Sequence, residues 1–436
     1  LTRGLHFPLV DGRQEKSLIV SIDRHRRASL VAALLLTLVA FGLRVYRLDG
    51  QSLWVDEVVS YYRALYLVSP PANLAPLVQE PRHLVYAVVM KPWVMLIPNE
   101  FGLRWPSVLA GTLAVAMMYQ VGARLGSRRV GLLAAIFLAL SPTHLYYAQE
   151  ARQYALVLLL GLTSLWVLTL LESRVGWARW AYPLSVALTG AVHAVAGLWL
   201  AVQSGVLLAR KLLTGRGPGW GTWLAAQVGL LSVLGVIYTL DDRGGTTWID
   251  RPGPGDFGAL FLSAVGLRLE YKDVASIPWT GLAQAALLGL LAIGLLRLVQ
   301  QSSTRARLGG QWVALLVGLL VILPPLAAYG LSFWWRPLWV PRYLILSQAS
   351  VLLLLGLSAG VPRSRRLGGA LAAVVLTSSL IGSVRYLFDP LYQRHDWRGA
   401  ATYVVEHTQP GDVLLLDRPM HMLNIQFYLT DAPLET

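Results

Sequence analysis

The sequence has no cysteine among its 436 residues. That excludes disulfide scaffolds, thiolate metal centres and cysteine nucleophiles, and leaves the redox compartment open. Charge is scarce too: 14% of residues are Asp, Glu, Lys or Arg, against about 25% in an average soluble domain. No Walker-type glycine loop is present to cradle nucleotide phosphates, which disfavours an ATP-driven pump. A Ser/His/Asp hydrolase signature is missing, as is any zinc-like or EF-hand spacing of ligands. What fills the chain instead is apolar: 55% hydrophobic residues, a mean hydropathy of +0.54, and long runs in place of alternation. This composition specifies an all-α polytopic membrane protein.

A helix needs about 20 apolar residues to cross a hydrocarbon layer ~30 Å thick at ~1.5 Å per residue. Six spans are expected near Ala28–Tyr46, Leu103–Ala123, Val130–Tyr147, Tyr154–Leu171, Trp180–Val192 and Ala194–Ala209. Five more follow near Trp220–Leu240, Trp279–Leu296, Gln311–Trp334, Tyr343–Ala359 and Leu367–Tyr386, eleven in all. The formal charge of +14 sits mostly in six short basic clusters, of which Arg124/Arg128/Arg129 and Arg363/Arg365/Arg366 are examples. With eleven spans and a cytoplasmic N-terminus, every one of these clusters falls on the cytoplasmic side. Membrane topology thus accounts for the basic balance, and no nucleic-acid partner is expected. Arg24, Arg26 and Arg27 lead into a run too long for a signal peptide. The expected layout is a cytoplasmic segment 1–27, a membrane domain 28–387 and an outer C-terminal segment 388–436.

Three outer segments, 47–102, 241–278 and 388–436, exceed the 12–15 residues or so beyond which a connection is usually functional or disordered. In the first, Val58–Leu67 and Leu84–Ile97 suit helices lying along the interface. In the last, Asp396 can cap a helix Trp397–His407, and Asp412–Asp417 reads as a short strand. That segment is expected to begin a small α/β outer-face domain that continues past residue 436.

The chemistry-bearing residues also gather on the outer side. Asp56 and Glu57 follow the first span; neighbours on a helix point about 100° apart, so one can face a cavity while the other orients it or binds an arginine. The plainer reading is a helix N-terminus with acids favoured by its dipole. Glu150, Arg152 and Tyr154 stand at the end of the third span, either as a site or as an internal cluster tying helices together. Arg336, Arg342 and Tyr343 form a turn between the ninth and tenth spans, where two arginines suggest an anion nearby. Arg82, His83 and Lys91 lie in the first loop and His193 between the fifth and sixth spans, where a lone histidine is more often structural. Acid, arginine, histidine and tyrosine converging near lipid suit a phosphate-bearing lipid substrate. Arginine grips phosphate in a fork, and a carboxylate accepts a hydroxyl proton.

These stretches carry a family resemblance. FGLRVYRLDGQSLWVDEVVSYYRA, with Trp54, Asp56 and Glu57, resembles the opening of bacterial GT-C glycosyltransferases of the protein O-mannosyltransferase and aminoarabinose transferase type. The likeness continues through FGLRWPSVLAGTLAV, SPTHLYYAQEARQYAL, HAVAGLWLAVQ, VPRYLILSQ and DWRGAATYVVEHTQPGDVLLLD. It departs from the family where a His-Pro-Pro-Leu-Tyr stretch is usual, which here reads Arg82-His83-Leu84-Val85-Tyr86. The resemblance implies a GT-C fold and an inverting glycosyltransferase. Its donor would be a polyprenyl-phosphate sugar and its acceptor a hydroxyl of a lipid, protein or polysaccharide at the outer membrane face. It implies Asp56 as the catalytic base with Glu57 beside it. Arg152, Arg342, Lys91 and Arg82 would serve the donor phosphate, with His83, Tyr86, Glu150, Tyr154, His193 and Tyr343 in support. A divalent metal occurs in oligosaccharyltransferase relatives, but no second Asp-rich motif is seen here, so none is expected. Two other readings share the fold: a non-catalytic subunit of a membrane complex, or a transporter of polyprenyl-linked sugars.

Overall fold

The structure, a computed structural model, describes residues 12–69, 80, 83–240, 248–269, 272–273, 280–300, 309–360, 365–409 and 411–429. Helices occupy each of the eleven expected segments. They are α1 (Gly12–Val45), α4 (Glu100–Leu125), the consecutive pair α5 (Arg128–Leu140) and α6 (Pro142–Ala148), α7 (Tyr154–Glu172), α8 (Ala178–Val192) and α9 (Ala196–Thr214). The series continues with α10 (Trp220–Leu240), α12 (Thr280–Gln300), α13 (Gly310–Trp334), α14 (Ile345–Gly360) and α15 (Arg365–Phe388). Among the described residues, eight helices are long and apolar enough to cross a bilayer, nine when α5 and α6 count as one bent span. Of the expected eleven, α8 falls short of that length at 15 residues, as does Thr280–Gly294, the apolar stretch of the 21-residue α12 among the described residues.

The core lies where helices pack on helices. Every residue of α14 from Ile345 to Ala359 is buried, so α14 runs through the centre of the bundle. The rim is inverted relative to a soluble protein: Leu34, Leu35 and Leu38 of α1 lie more than half exposed, as lipid-facing side chains should. Glycine sets the closest approach. A β-carbon on Gly131 would lie 2.4 Å from the Tyr119 carbonyl oxygen, so only glycine lets α5 pack this tightly against α4.

The break between α5 and α6 positions the layer that carries the long loops. Pro142 at the first position of α6 has no N–H to continue α5, and the chain bends by 66° there. The hydroxyls of Ser141 and Thr143 then donate to the Ala264 and Ser263 carbonyls, each at 2.7 Å. Those carbonyls end α11 (Asp256–Ala264), where a helix leaves its last carbonyls without intrahelical donors. A two-residue hairpin follows, β1 (Arg268–Leu269) against β2 (Lys272–Asp273), antiparallel with Arg268 opposite Asp273.

The segment expected as the first outer loop forms α2 (Val55–Leu65) and α3 (Leu84–Leu96). Expected at the interface, α2 is instead mostly buried: Val58, Val59 and Tyr62 share an apolar cluster with Tyr86, Met90, Leu103 and Leu423. In contrast, α3 leaves Leu84, Val88, Met95 and Leu96 exposed. The C-terminal segment forms α16 (Trp397–His407), capped by Asp396 accepting from the Gly399 amide at 2.9 Å. It then forms α17 (Pro419–Tyr428). The strand expected over Asp412–Asp417 is absent: that stretch has no ladder partner among the described residues, and a strand without a neighbour cannot satisfy its backbone. The described part of 388–429 is therefore helical, not α/β. It folds back on the first loop, where the Leu53 amide donates to Tyr428 Oη at 2.6 Å and Asn424 Nδ2 donates to the Leu53 carbonyl at 3.1 Å.

Candidate active site

At the start of α2 the two neighbouring acids go separate ways. Asp56 lines a cavity of ≈ 610 Å³ and keeps 29% of its side-chain exposure. Glu57 is turned inward and fully buried. Its oxygens accept from Arg104 Nε at 2.8 Å and Nη2 at 2.9 Å, from Arg394 Nη1 at 2.5 Å and from the Ala151 amide at 2.8 Å. Burial alone would raise its pKa, but Arg104, Arg394 and these hydrogen bonds hold it down to about 2. Glu57 is thus a fixed carboxylate behind the wall and does not line the cavity.

Two arginines meet Asp56 from other elements. Arg152 sits in the turn between α6 and α7, and its Nη2 lies 3.4 Å from Asp56 Oδ2. The turn is held from behind: Ser107 Oγ donates to the Arg152 carbonyl and pairs with Tyr86 Oη, both at 2.9 Å. Arg342 comes from the single 3₁₀ turn Pro341–Leu344 that leads into α14. Its Nη2 is 4.0 Å from the same Asp56 oxygen, and its guanidinium stands over the rings of Trp248, Tyr343 and Tyr154 at 5.5, 5.9 and 6.0 Å. His193 packs against Tyr343 with ring centres 4.7 Å apart and against Tyr154 at 5.8 Å. These aromatic faces steer the two cations toward one spot.

His83 lines the opposite wall, with Nδ1 3.0 Å from Gln153 Nε2 and Nε2 3.4 Å from Glu80. Burial, and after it the Arg63 charge, pulls its pKa well below the usual value. The imidazole is therefore neutral, accepting from Gln153 at Nδ1 and turning its N–H toward Glu80. Glu80 also takes a 2.7 Å ion pair from Arg63.

The structure brings together Asp56, Arg152, Arg342, His83, His193 and Tyr343 at the cavity, with Tyr154 packed behind them. Tyr86 and Glu150 stand outside the lining; Glu150 accepts from the Trp54 indole at 2.9 Å. Lys91 does not join them, because its Nζ donates to the Leu65 carbonyl at 2.8 Å and ties α3 to the end of α2. Arg82 lies outside the described residues. Reasoning from sequence missed Arg63, Glu80, Trp248 and the C-terminal contributors His395, Trp397, Arg418 and His421. One signal was available for Arg63: it lies seven residues after Asp56, two turns along one helix face. The C-terminal residues gave none, since their placement depends on a fold-back from more than 330 positions away in the chain.

Among the described residues, the lining carries five arginines (Arg63, Arg152, Arg336, Arg342 and Arg418) against two carboxylates, Asp56 and Glu80. Such a surplus in a concave, partly apolar site concentrates anions. Among the described residues, no group of three or more His, Asp or Glu converges as a metal site.

No protein-family model matches the sequence, and no curated protein is similar to it. Solved structures are similar in fold. The crystal structure of ArnT from Cupriavidus metallidurans in the apo state superposes with a TM-score of 0.58 at 15% identity, covering 92% of this chain and 85% of that one. The structure of the same protein bound to undecaprenyl phosphate gives 0.57 at 15% identity, covering 91% and 84%. At this identity the likeness is one of fold.

Proposed function

We propose that this protein is a GT-C glycosyltransferase of the cytoplasmic membrane that moves a sugar from a polyprenyl-phosphate donor to a hydroxyl acceptor at the outer face. The observation that carries the reading is the meeting of the Asp56 carboxylate with Arg152 and Arg342, at 3.4 and 4.0 Å, in a cavity rich in arginine. The fold shared with ArnT, a protein solved with undecaprenyl phosphate bound, supports the donor class. In this reading the chain spans the membrane eleven times with its N-terminus inside and residues 388–436 outside, and both α8 and α12 cross.

The chemistry follows from the charges. Asp56 takes the proton of the acceptor hydroxyl as that oxygen attacks the anomeric carbon. The new O–C bond forms as the bond from that carbon to the phosphate oxygen breaks on the opposite face, so the anomeric centre inverts. The polyprenyl phosphate leaves with a growing negative charge. Arg152 and Arg342, already fixed by neighbouring rings and backbone, stabilise it without reorganising. Glu57 holds Arg104 and Arg394 and so fixes the start of α2, which carries Asp56.

The test is transfer from a labelled polyprenyl-phosphate sugar by the purified full chain, with the anomeric configuration of the product read by NMR. An inverted product supports the reading; donor turnover with retention, or none across hexosyl and pentosyl donors, rejects it. A separate expectation concerns Arg342. Arg342→Met removes a charge-assisted contact worth roughly 1.5–3 kcal/mol, so polyprenyl phosphate should bind about 10- to 100-fold more weakly by native mass spectrometry. Unchanged binding would place the phosphate elsewhere.

A further inference from the structure

Away from this cavity, the bundle buries another cation, one with no acid beside it among the described residues. Arg44, in the last turn of α1, is 1% exposed and His144, on α6, is 2% exposed. Among the described residues, the hydrogen bond made by the Arg44 guanidinium runs from Nη1 to the Ala40 carbonyl at 3.0 Å. Its Nε and both ring nitrogens of His144 are buried without a hydrogen-bond partner. The carbonyls that could otherwise solvate a cation at the end of α1 are already engaged. Those of Leu43, Arg44 and Tyr46 accept from Gln149 Nε2 at 3.4, 3.1 and 2.9 Å, and Tyr386 fixes the other end of that amide.

Gly111 of α4 makes the room. A β-carbon there would lie 3.2 Å from Arg44 Nε and 2.5 Å from the Ala148 β-carbon. Ala148 is four residues from His144, on the same face of α6, and the Arg44 charge acts on His144. A guanidinium does not surrender its proton, so the charge stays where it is buried. A neutral imidazole always carries one N–H. Two donors, Arg44 Nε–H and a His144 N–H, therefore lack an acceptor, and one positive charge lacks a counter-charge. A water molecule could accept but would leave the charge uncompensated. A species that only accepts, and carries a single negative charge, satisfies both.

We propose that Arg44 and His144 hold a small halide-like monoanion between α1, α4 and α6, at a site separate from the Asp56 cavity. The test compares thermal unfolding of the purified full chain in sodium chloride, bromide and gluconate at equal ionic strength. The halides should raise the midpoint by roughly 2–4 °C at saturation, and bromide-soaked crystals should show an anomalous peak beside Arg44 Nε. Arg44→Gln should abolish the halide response, and His144→Phe should weaken the apparent halide affinity about tenfold, as expected for one lost hydrogen bond to a charge. Should Arg44→Gln fail to fold, the bromide map of the unmodified protein decides. A halide response that persists undiminished in Arg44→Gln overturns the proposal, and so does a map with only water between Arg44 and His144.

Discussion

Asp56→Asn should lower sugar transfer by about 10²–10⁴-fold, the usual range for losing a positioned general base, while polyprenyl phosphate binds as well as before or better. The second half of this expectation separates chemistry from folding. Asp56 lies 3.4 Å from Arg152 and 4.0 Å from Arg342, so in the proposed reaction its negative charge would compete with the lipid phosphate for the same two guanidiniums. Asparagine keeps the shape and removes both the base and the competitor. Single-turnover transfer and lipid binding by native mass spectrometry, run on one preparation, would resolve the two effects. Transfer within tenfold of the unmodified protein would remove Asp56 from the mechanism. Loss of transfer together with lipid binding would mean that the substitution had disturbed the site as a whole. A transporter using the same cavity would move its cargo unimpaired in Asp56→Asn.

Asp56 and Glu57 also show how far the sequence reaches. Their adjacency on a helix predicts that they diverge by about 100°, which leaves one of them free to orient the other or to bind an arginine. Which arginine was not readable: Arg104 is 47 residues away and Arg394 is 337 away, and nothing local selects them. The helices themselves were legible, because apolar runs of about 20 residues leave the backbone few alternatives in lipid. The helix Trp397–His407 was legible from its cap, Asp396. The strand expected over Asp412–Asp417 failed for the opposite reason. An apolar run can propose a strand, but a strand exists only if a distant segment supplies a neighbour, and here the segment runs alone into α17. Lys91 failed similarly, since its sequence neighbourhood gave no hint that the end of α2 would stand within its reach.

The second large effect falls on stability. Glu57→Gln should destabilise the protein by about 3–5 kcal/mol, the scale for removing one partner of a buried ion pair, because Arg104 and Arg394 would stay buried at 3% and 8% side-chain exposure without their carboxylate. Glu57 has its folded pKa near 2, below the ordinary value of 4.5, so its contribution is present in full above 4.5 and lost as pH falls toward 2. By linkage that interval corresponds to about 3 kcal/mol. The difference in unfolding midpoint between the unmodified protein and Glu57→Gln should therefore be greatest near neutral pH and shrink on acidification. A gap that stays constant down to the acid limit would show that the carboxylate's charge is not what holds these arginines. Glu57→Gln combined with Arg394→Met should recover part of the loss, since the second change removes a stranded cation. Transfer should fall in Glu57→Gln as well, though by a different route from Asp56→Asn. Glu57 Oε1 accepts from the Ala151 amide at 2.8 Å, one residue before Arg152, so the same carboxylate that closes the buried pair also holds the turn that brings the Arg152 guanidinium to Asp56.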